Sequence, residues 1–194
     1  MKKYQVIYAD PPWEYSFPGT RADVGEDYPT MRTVDICGFP FGDFADEDCT
    51  LFLWGIWTKI EDSLRAIRAW GFEYKTVGFV WVKTRRTVDM NQPAFFPVES
   101  FAEFFGMGMW TRSNTEFCLI ATRGNPKPVS HSVRQIIYSP LREHSRKPDE
   151  ARKRIVELMG DLPRVELFAR EKTEGWDVWG NEVESDIEIS MRVK

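Results

Sequence analysis

The order of elements in this sequence predicts an α/β fold, a mostly parallel sheet with helices on both faces. Three observations carry the expectation. Short apolar runs rich in β-formers recur along the chain, helix-periodic segments lie between them, and glycines close those segments before the next run begins.

The first run is "YQVIYA" at residues 4–9, followed by "TLFLWG" at 50–55 and "KTVGFVWVK" at 75–83. All three read as buried strands. Between the last two, "TKIEDSLRAIRAWG" places Ile60, Leu64, Ile67 and Trp70 at helical spacing, with Thr58 and Glu61 offering a capping box and Gly71 an end. "EFCLIATR" at 116–123 and "RVELFA" at 164–169 supply two more strands. A second helix is predicted from "KPDEARKRIVELMG". There Pro148 suits the first helical position, Asp149 and Glu150 suit the positive end of the dipole, and Ala151, Ile155, Leu158 and Met159 form a stripe ended by Gly160. Its charges are expected to face water, Lys147 apart. Two irregular regions, about 84–114 and 124–146, fit neither period and are expected to be functional loops. No internal repeat divides the chain, so residues 1–194 are expected to form a single domain.

The composition narrows the function. With 42% hydrophobic and 14% aromatic residues the chain can fill a core. Its 26 basic residues against 30 acidic ones give a net charge of −4, so a nucleic acid would have to be held by a local basic patch and not by the global field. Cys37, Cys49 and Cys118 form no CxxC pair, which fits buried thiols in a reducing compartment and argues against structural zinc. The N-terminus reaches an acid by residue 10 and no apolar run approaches about 18 residues, so a soluble, cytoplasmic protein without a membrane span is expected. Phosphate-loop, HExxH, GxSxG and zinc-deaminase patterns are all missing, and the two histidines, His131 and His144, offer little for metal or Ser/His chemistry.

What remains is "YADPPWEY" at residues 8–15. Two consecutive prolines forbid helix and ladder pairing, so they fix a rigid extended corner just after Asp10. In an open α/β sheet ligands bind beyond the carboxyl ends of the strands, which puts Asp10 at the mouth of a site. Its carboxylate and the adjacent Pro11 carbonyl, read as free of local bonding, make two acceptors suited to the two donors of an NH2 group. Trp13 adds a flat face for a planar ring. Adenine or cytosine is the ligand such a corner would hold.

With "DPPW" stand "YPTM" (28–31), "LFLWG" (51–55), "VWVKT" (80–84), "SNTEFCLIATRGNP" (113–126), "HSRKPDE" (144–150), "VELFARE" (165–171) and "GWDVWGNE" (175–182). In that order these segments resemble the MT-A70 family of adenine 6-amino methyltransferases, over nearly the whole chain. The resemblance implies a Rossmann-like methyltransferase sheet, S-adenosylmethionine as cofactor, no metal, and a circularly permuted order in which the catalytic motif precedes the cofactor segments. Carried over by position, it implies Asp10, Pro11, Pro12 and Trp13 as the catalytic motif, with Trp13 lining the adenine pocket and Tyr28 closing over it. Lys147, Glu166, Arg170, Asn181 and Glu182 would contact the cofactor, and Asp10 would touch both ligands. Trp54, Lys83, Arg85 and Arg86 fall on the substrate side. Ala169 stands where related chains often carry glycine, and Glu182 where glutamine is common.

The adenine amino lone pair is delocalised and a poor nucleophile. Acceptors on both N–H bonds would gain strength as positive charge grows on nitrogen, and alignment with a methyl donor can contribute about 7–11 kcal/mol. An ordinary carboxylate is a weak base, so Asp10 is expected to orient and stabilise, with proton loss late. Arg85, Arg86, Arg123, Lys127, Arg142 and Arg146 lie in or beside the two loop regions and are either solvated surface charges or, if the loops converge, a phosphate patch. Trp54, Trp81 and Trp110 read as core or pocket walls. Lys147 is either a solvated lysine or an anion contact at a helix start. The expected function is methylation of adenine in nucleic acid, DNA favoured over RNA because the compact length looks like stand-alone phage or bacterial members. A non-catalytic nucleic-acid-binding subunit and a cytosine 4-amino methyltransferase stay open, as do a homodimer and a partner subunit.

Overall fold

The computed structural model describes residues 2–14, 30–85, 104, 106, 108, 110–142 and 146–189. Seven strands form one sheet: β1 (Tyr4–Ala9), β2 (Ala45–Gly55), β3 (Glu73–Thr84), β4 (Thr115–Arg123), β5 (Ile136–Pro140), β6 (Arg164–Leu167) and β7 (Asp177–Trp179). Their spatial order is β5-β3-β4-β2-β1-β6-β7. β4 runs antiparallel to both its neighbours, β2 and β3, while the other four pairings are parallel. The carboxyl ends of β1, β2, β3 and β6 and the start of β4 therefore meet at one edge of the sheet, where a ligand has access.

Helices cover both faces. α1 (Thr33–Gly38) and α2 (Ile60–Ala69) lie on one side, where Ile36, Ala66, Ile67 and Trp70 join Ile7, Leu51, Leu53, Phe117 and Leu119. α3 (Asp149–Met159) lies on the other, packing Ala151, Ile155 and Met159 against Tyr8, Trp54, Phe79 and Trp81. Neighbouring strand residues alternate between the two clusters, as the period of two demands.

Several local expectations change. Thr58 and Glu61 form no capping box: a 3-10 turn over Trp57–Lys59 precedes α2, Lys59 takes the cap position, and no side chain caps it. The helix consequently buries Ser63, Ala66 and Ile67 and leaves Ile60 37% exposed, with the Ser63 hydroxyl donating to the Lys59 carbonyl at 2.9 Å. Pro148 is the N-cap of α3 instead of its first residue, its backbone extended at ψ 131°. Gly71 and Gly160 close the two helices with φ of +80° and +87°, the left-handed region glycine enters without strain. The region 124–146 is not wholly irregular, because β5 runs through it, five residues ending in a proline that cannot continue a ladder. Most of the other irregular region, with Arg86 and Tyr28, lies outside the described residues.

Candidate active site

Asp10 follows β1 directly, and its amide still donates to Leu167 O of β6 at 3.4 Å. The proline corner is pinned on both sides. Met31 N–H donates to the Pro12 carbonyl at 2.7 Å, and Trp13 N–H donates to the Pro11 carbonyl at 2.9 Å, the i to i+2 pattern of a γ-turn. The Pro11 carbonyl is thus not free of local bonding; one lone pair remains for a second donor. Trp13 is 5% exposed, and its indole N–H donates to Trp54 O at 3.0 Å. The indole sits inside the core on the α1/α2 side and stiffens the corner, so an open stacking face is not what the fold gives it.

Alternation along β1 turns Asp10 to the α3 face, with Tyr8, Trp54, Glu116, Cys118 and Glu166. There a chain of opposite charges is buried. Lys147 Nζ lies 2.9 Å from Asp10 Oδ2 and 3.2 Å from Glu116 Oε2, and Lys83 Nζ lies 2.6 Å from Glu116 Oε1. The side chain of Glu116 is 4% exposed, that of Lys147 11% and that of Asp10 22%. Asp10 is thus the most exposed of these three, and it reaches the cavity together with Lys147. Burial pushes its carboxyl above the ordinary 3.8, against the pull of Lys147. Burial works against the charged form of Lys147 as well, but the carboxylates of Asp10 and Glu116 outweigh it and hold the ammonium charged. Lys147 Nζ also sits 5.7 Å from the Trp54 ring, whose own N–H donates to Tyr8 OH at 2.7 Å. Trp54 and Trp81 are fully buried, as walls should be, whereas Trp110 is 99% exposed and walls nothing.

Behind this chain stands a second buried pair. Arg152 Nε and Nη2 donate to the two oxygens of Glu166, each at 2.7 Å, a bidentate fork. Arg152 was expected on the solvent face of its helix; it points inward because the acid that alternates onto the α3 face of β6 offers it a matched partner. Glu166 therefore lines the cavity with both oxygens already engaged.

Two cavities open at the proline corner, the first of them lined by Asp10 and the second by Pro12. One of about 130 Å³ is lined by Tyr8, Asp10, Lys147, Arg152, Glu166 and Arg170 among others. The other, of about 200 Å³, is lined by Pro12, Met31, Phe39, Trp179, Asn181 and Glu182 among others. Phe168 borders both and holds a left-handed backbone at φ 61°, costly for a side chain with a Cβ and common where function fixes a turn. Arg170 and Glu182, 3.9 Å apart, stand between the two groups of walls.

The expected basic patch divides. Arg123, at the far end of β4, donates to the carbonyls of Gly42, Gly71 and Trp70, away from the site. Arg142 donates to Asp149 and to the Lys147 carbonyl, and Arg146 pairs with Glu171 and Asp149. Lys83 is committed to Glu116, while Arg85 is exposed. The residues missed from sequence are Glu116 and Arg152. A signal existed for Glu116: an acid two positions from Cys118 in an otherwise apolar run shares the buried face of the strand.

An acidic proline corner at the carboxyl edge of a Rossmann-like sheet, ahead in the chain of the segments that line the cavities, defines a methyltransferase of the permuted class. A model of the MT-A70 family matches residues 4–182, and the chain belongs to that family. It is similar to the Type II methyltransferase M.MunI of Mycoplasma sp, 34% identical over 209 residues that cover 97% of this chain and 82% of the relative. It is also similar to the N(6)-adenosine-methyltransferase MT-A70-like of Arabidopsis thaliana, 29% identical, and to the N(6)-adenosine-methyltransferase catalytic subunit METTL3 of Homo sapiens, 27% identical. Those matches cover 93% and 94% of this chain but only 24% and 28% of the relatives, so it spans about a quarter of their length. Among the described residues no helix is long and apolar enough to cross a membrane.

Proposed function

We propose that this methyltransferase transfers the methyl group of S-adenosylmethionine to the 6-amino group of adenine in nucleic acid, with DNA as the favoured substrate. The observation that carries the reading is the Asp10 carboxylate, anchored by a charged lysine yet open to the cavity, on a corner that two prolines and two backbone bonds keep from moving. The lining chemistry suits the cofactor. The smaller cavity presents both signs of charge, as an amino-acid zwitterion requires, and the larger is aromatic with Asn181 and Glu182 at its edge, as an adenosine requires. When bound, the cofactor supplies an electrophilic methyl group.

The protein supplies position and field. Asp10 accepts one N–H of the amine, and the remaining lone pair of Pro11 O accepts the other, both bonds strengthening as nitrogen becomes cationic. Lys147 orients Asp10 and opposes the burial that raises its carboxyl. Asp10 and Lys147 face the cofactor cavity with Arg170, while Glu166 keeps its oxygens on Arg152 and acts as a wall. Similarity to a Type II methyltransferase of comparable length supports DNA. The test is incubation with labelled S-adenosylmethionine and a panel of single- and double-stranded DNA and RNA, followed by mass spectrometry of the nucleosides. N6-methyladenine is expected, from DNA above RNA; 4-methylcytosine as the product, or no transfer by a folded chain, refutes the reading.

A further inference from the structure

Resting on the nucleic-acid reading above, we propose that an exposed aromatic ledge at the carboxyl edge of the sheet, on the face opposite to the one Asp10 points to, stacks unpaired nucleotides that flank the target base. Thr115 opens β4, and the Trp57 indole N–H donates to its hydroxyl at 2.8 Å, with the ring edge-on to Phe117 at 4.9 Å. The register then crosses the sheet: Thr115 pairs with Val82 of β3, and Val82 with Tyr138 of β5. Cross-strand partners share a face, so Trp57, Thr115, Val82 and Tyr138 line one ledge, with Thr115 and Tyr138 about 10 Å apart by two strand spacings. α2 packs against β2 and β3 without covering the two rings. Trp57 is left 44% exposed and Tyr138 67%.

The charge on the ledge matches a phosphate backbone. Arg85, one residue past β3, and Arg112, three residues before β4, are exposed at the same edge, and neither has an ion-pair partner among the described residues. The fully exposed Trp110 stands two residues before Arg112. In a chain of net charge −4, rings framed by guanidinium groups beside a catalytic mouth suit single-stranded nucleic acid, which is held by stacking and phosphate contacts. Trp57 is pre-placed, its N–H held by Thr115, so stacking on it costs little side-chain ordering. A paired neighbour could not reach them, and the enzyme should favour adenine in single-stranded or locally opened DNA.

The experiment compares the full chain with Trp57→Ala, Tyr138→Ala, their double variant and Trp57→Phe, on a short single-stranded oligodeoxynucleotide and its duplex. The double variant should raise KM for the single strand about tenfold or more, hold kcat and cofactor affinity within about twofold, and erase the preference over duplex, while Trp57→Phe retains most of the affinity. Oligonucleotide binding should quench tryptophan fluorescence, and Arg85→Gln should reduce the salt slope of binding by about one. An unchanged KM in the double variant overturns the proposal. A change in oligomeric state by light scattering with KM unchanged would assign the ledge to a second copy of the chain instead. If the unmodified chain methylates no nucleic acid at all, the functional reading fails first and this proposal with it.

Discussion

The two faces of the sheet are built from different materials. Under α1 and α2, Phe39 stacks on Phe41 at 4.9 Å, Phe41 meets Trp70 edge-on at 4.8 Å, and Phe168 meets Trp179 at 5.4 Å, an aromatic cluster with no buried ion pair among the described residues. Under α3 the same strands bury Asp10, Glu116 and Glu166 against Lys147, Lys83 and Arg152. Apolar packing is favourable wherever it fits, whereas a buried charge must be matched by a partner or it costs several kcal/mol. A protein of this size has no structural need for three buried acids. On the proposed reading the α3 face supplies the charged groups, its ions held by one another, while the α1/α2 face supplies the aromatic packing, the outer rings of which also line the larger cavity.

Substitutions on the two faces should therefore separate stability from activity. The largest loss of stability is expected from Trp70→Ala, which empties the centre of the aromatic cluster and removes one of two donors to the Ile36 carbonyl, served by Trp70 Nε1–H at 3.0 Å and by Phe39 N–H at 3.3 Å. Thermal or urea unfolding should register about 3–5 kcal/mol, with the cofactor affinity of the folded fraction unchanged. Arg152→Met strands a buried carboxylate and should cost about 3 kcal/mol, but the double variant Arg152→Met with Glu166→Leu should recover much of that loss. Failure of that recovery would mean that the pair contributes more than mutual compensation.

Glu116→Gln sharpens the comparison through pH. Burial would raise the Glu116 carboxyl, but the ammonium groups of Lys147 and Lys83 hold it below the ordinary 4.5. The folded state thus gives up this proton more readily than the unfolded chain, so the contribution is full above the ordinary value and fades as pH falls through the lowered one. Melting temperatures followed from about pH 6 to pH 3 should drop more steeply in the wild type than in Glu116→Gln. Activity of the variant should also fall, because Lys147 loses one of its two holders. The smallest effect belongs to Val34→Ser on the outer surface of α1, where the side chain is 54% exposed; less than about 0.5 kcal/mol is expected, with normal activity.

Much of this division was legible in the residues, for reasons that differ by element. β1, β2 and α3 announce themselves because burial on a sheet or under a helix imposes a period that the chain must carry. The DPPW corner is legible because only proline stiffens a backbone in that way. The α2 cap was misread, since Thr58 and Glu61 satisfy the pattern of a capping box but a 3-10 turn starts the helix without it. β5 escaped because five residues ending in proline give too short a signal. Arg152 escaped for a deeper reason: a charge on a helix reads as solvent-facing until its partner is known, and Glu166 comes from a strand 14 residues away. The Pro11 carbonyl was read as free because a γ-turn leaves no mark in the sequence. Long-range pairing of charges is the part of the site that local pattern does not encode.

The central claim is that Asp10 acts as an ionised acceptor for the exocyclic amine. Single-turnover methyl transfer by Asp10→Asn, with nucleoside mass spectrometry as readout and cofactor binding and unfolding measured in parallel, tests it most directly. The side chain keeps its shape but loses its charge, so the account predicts a rate lower by about 10² to 10³ in a chain that still folds. N6-methyladenine formed by that variant within a few-fold of the wild-type rate would contradict it.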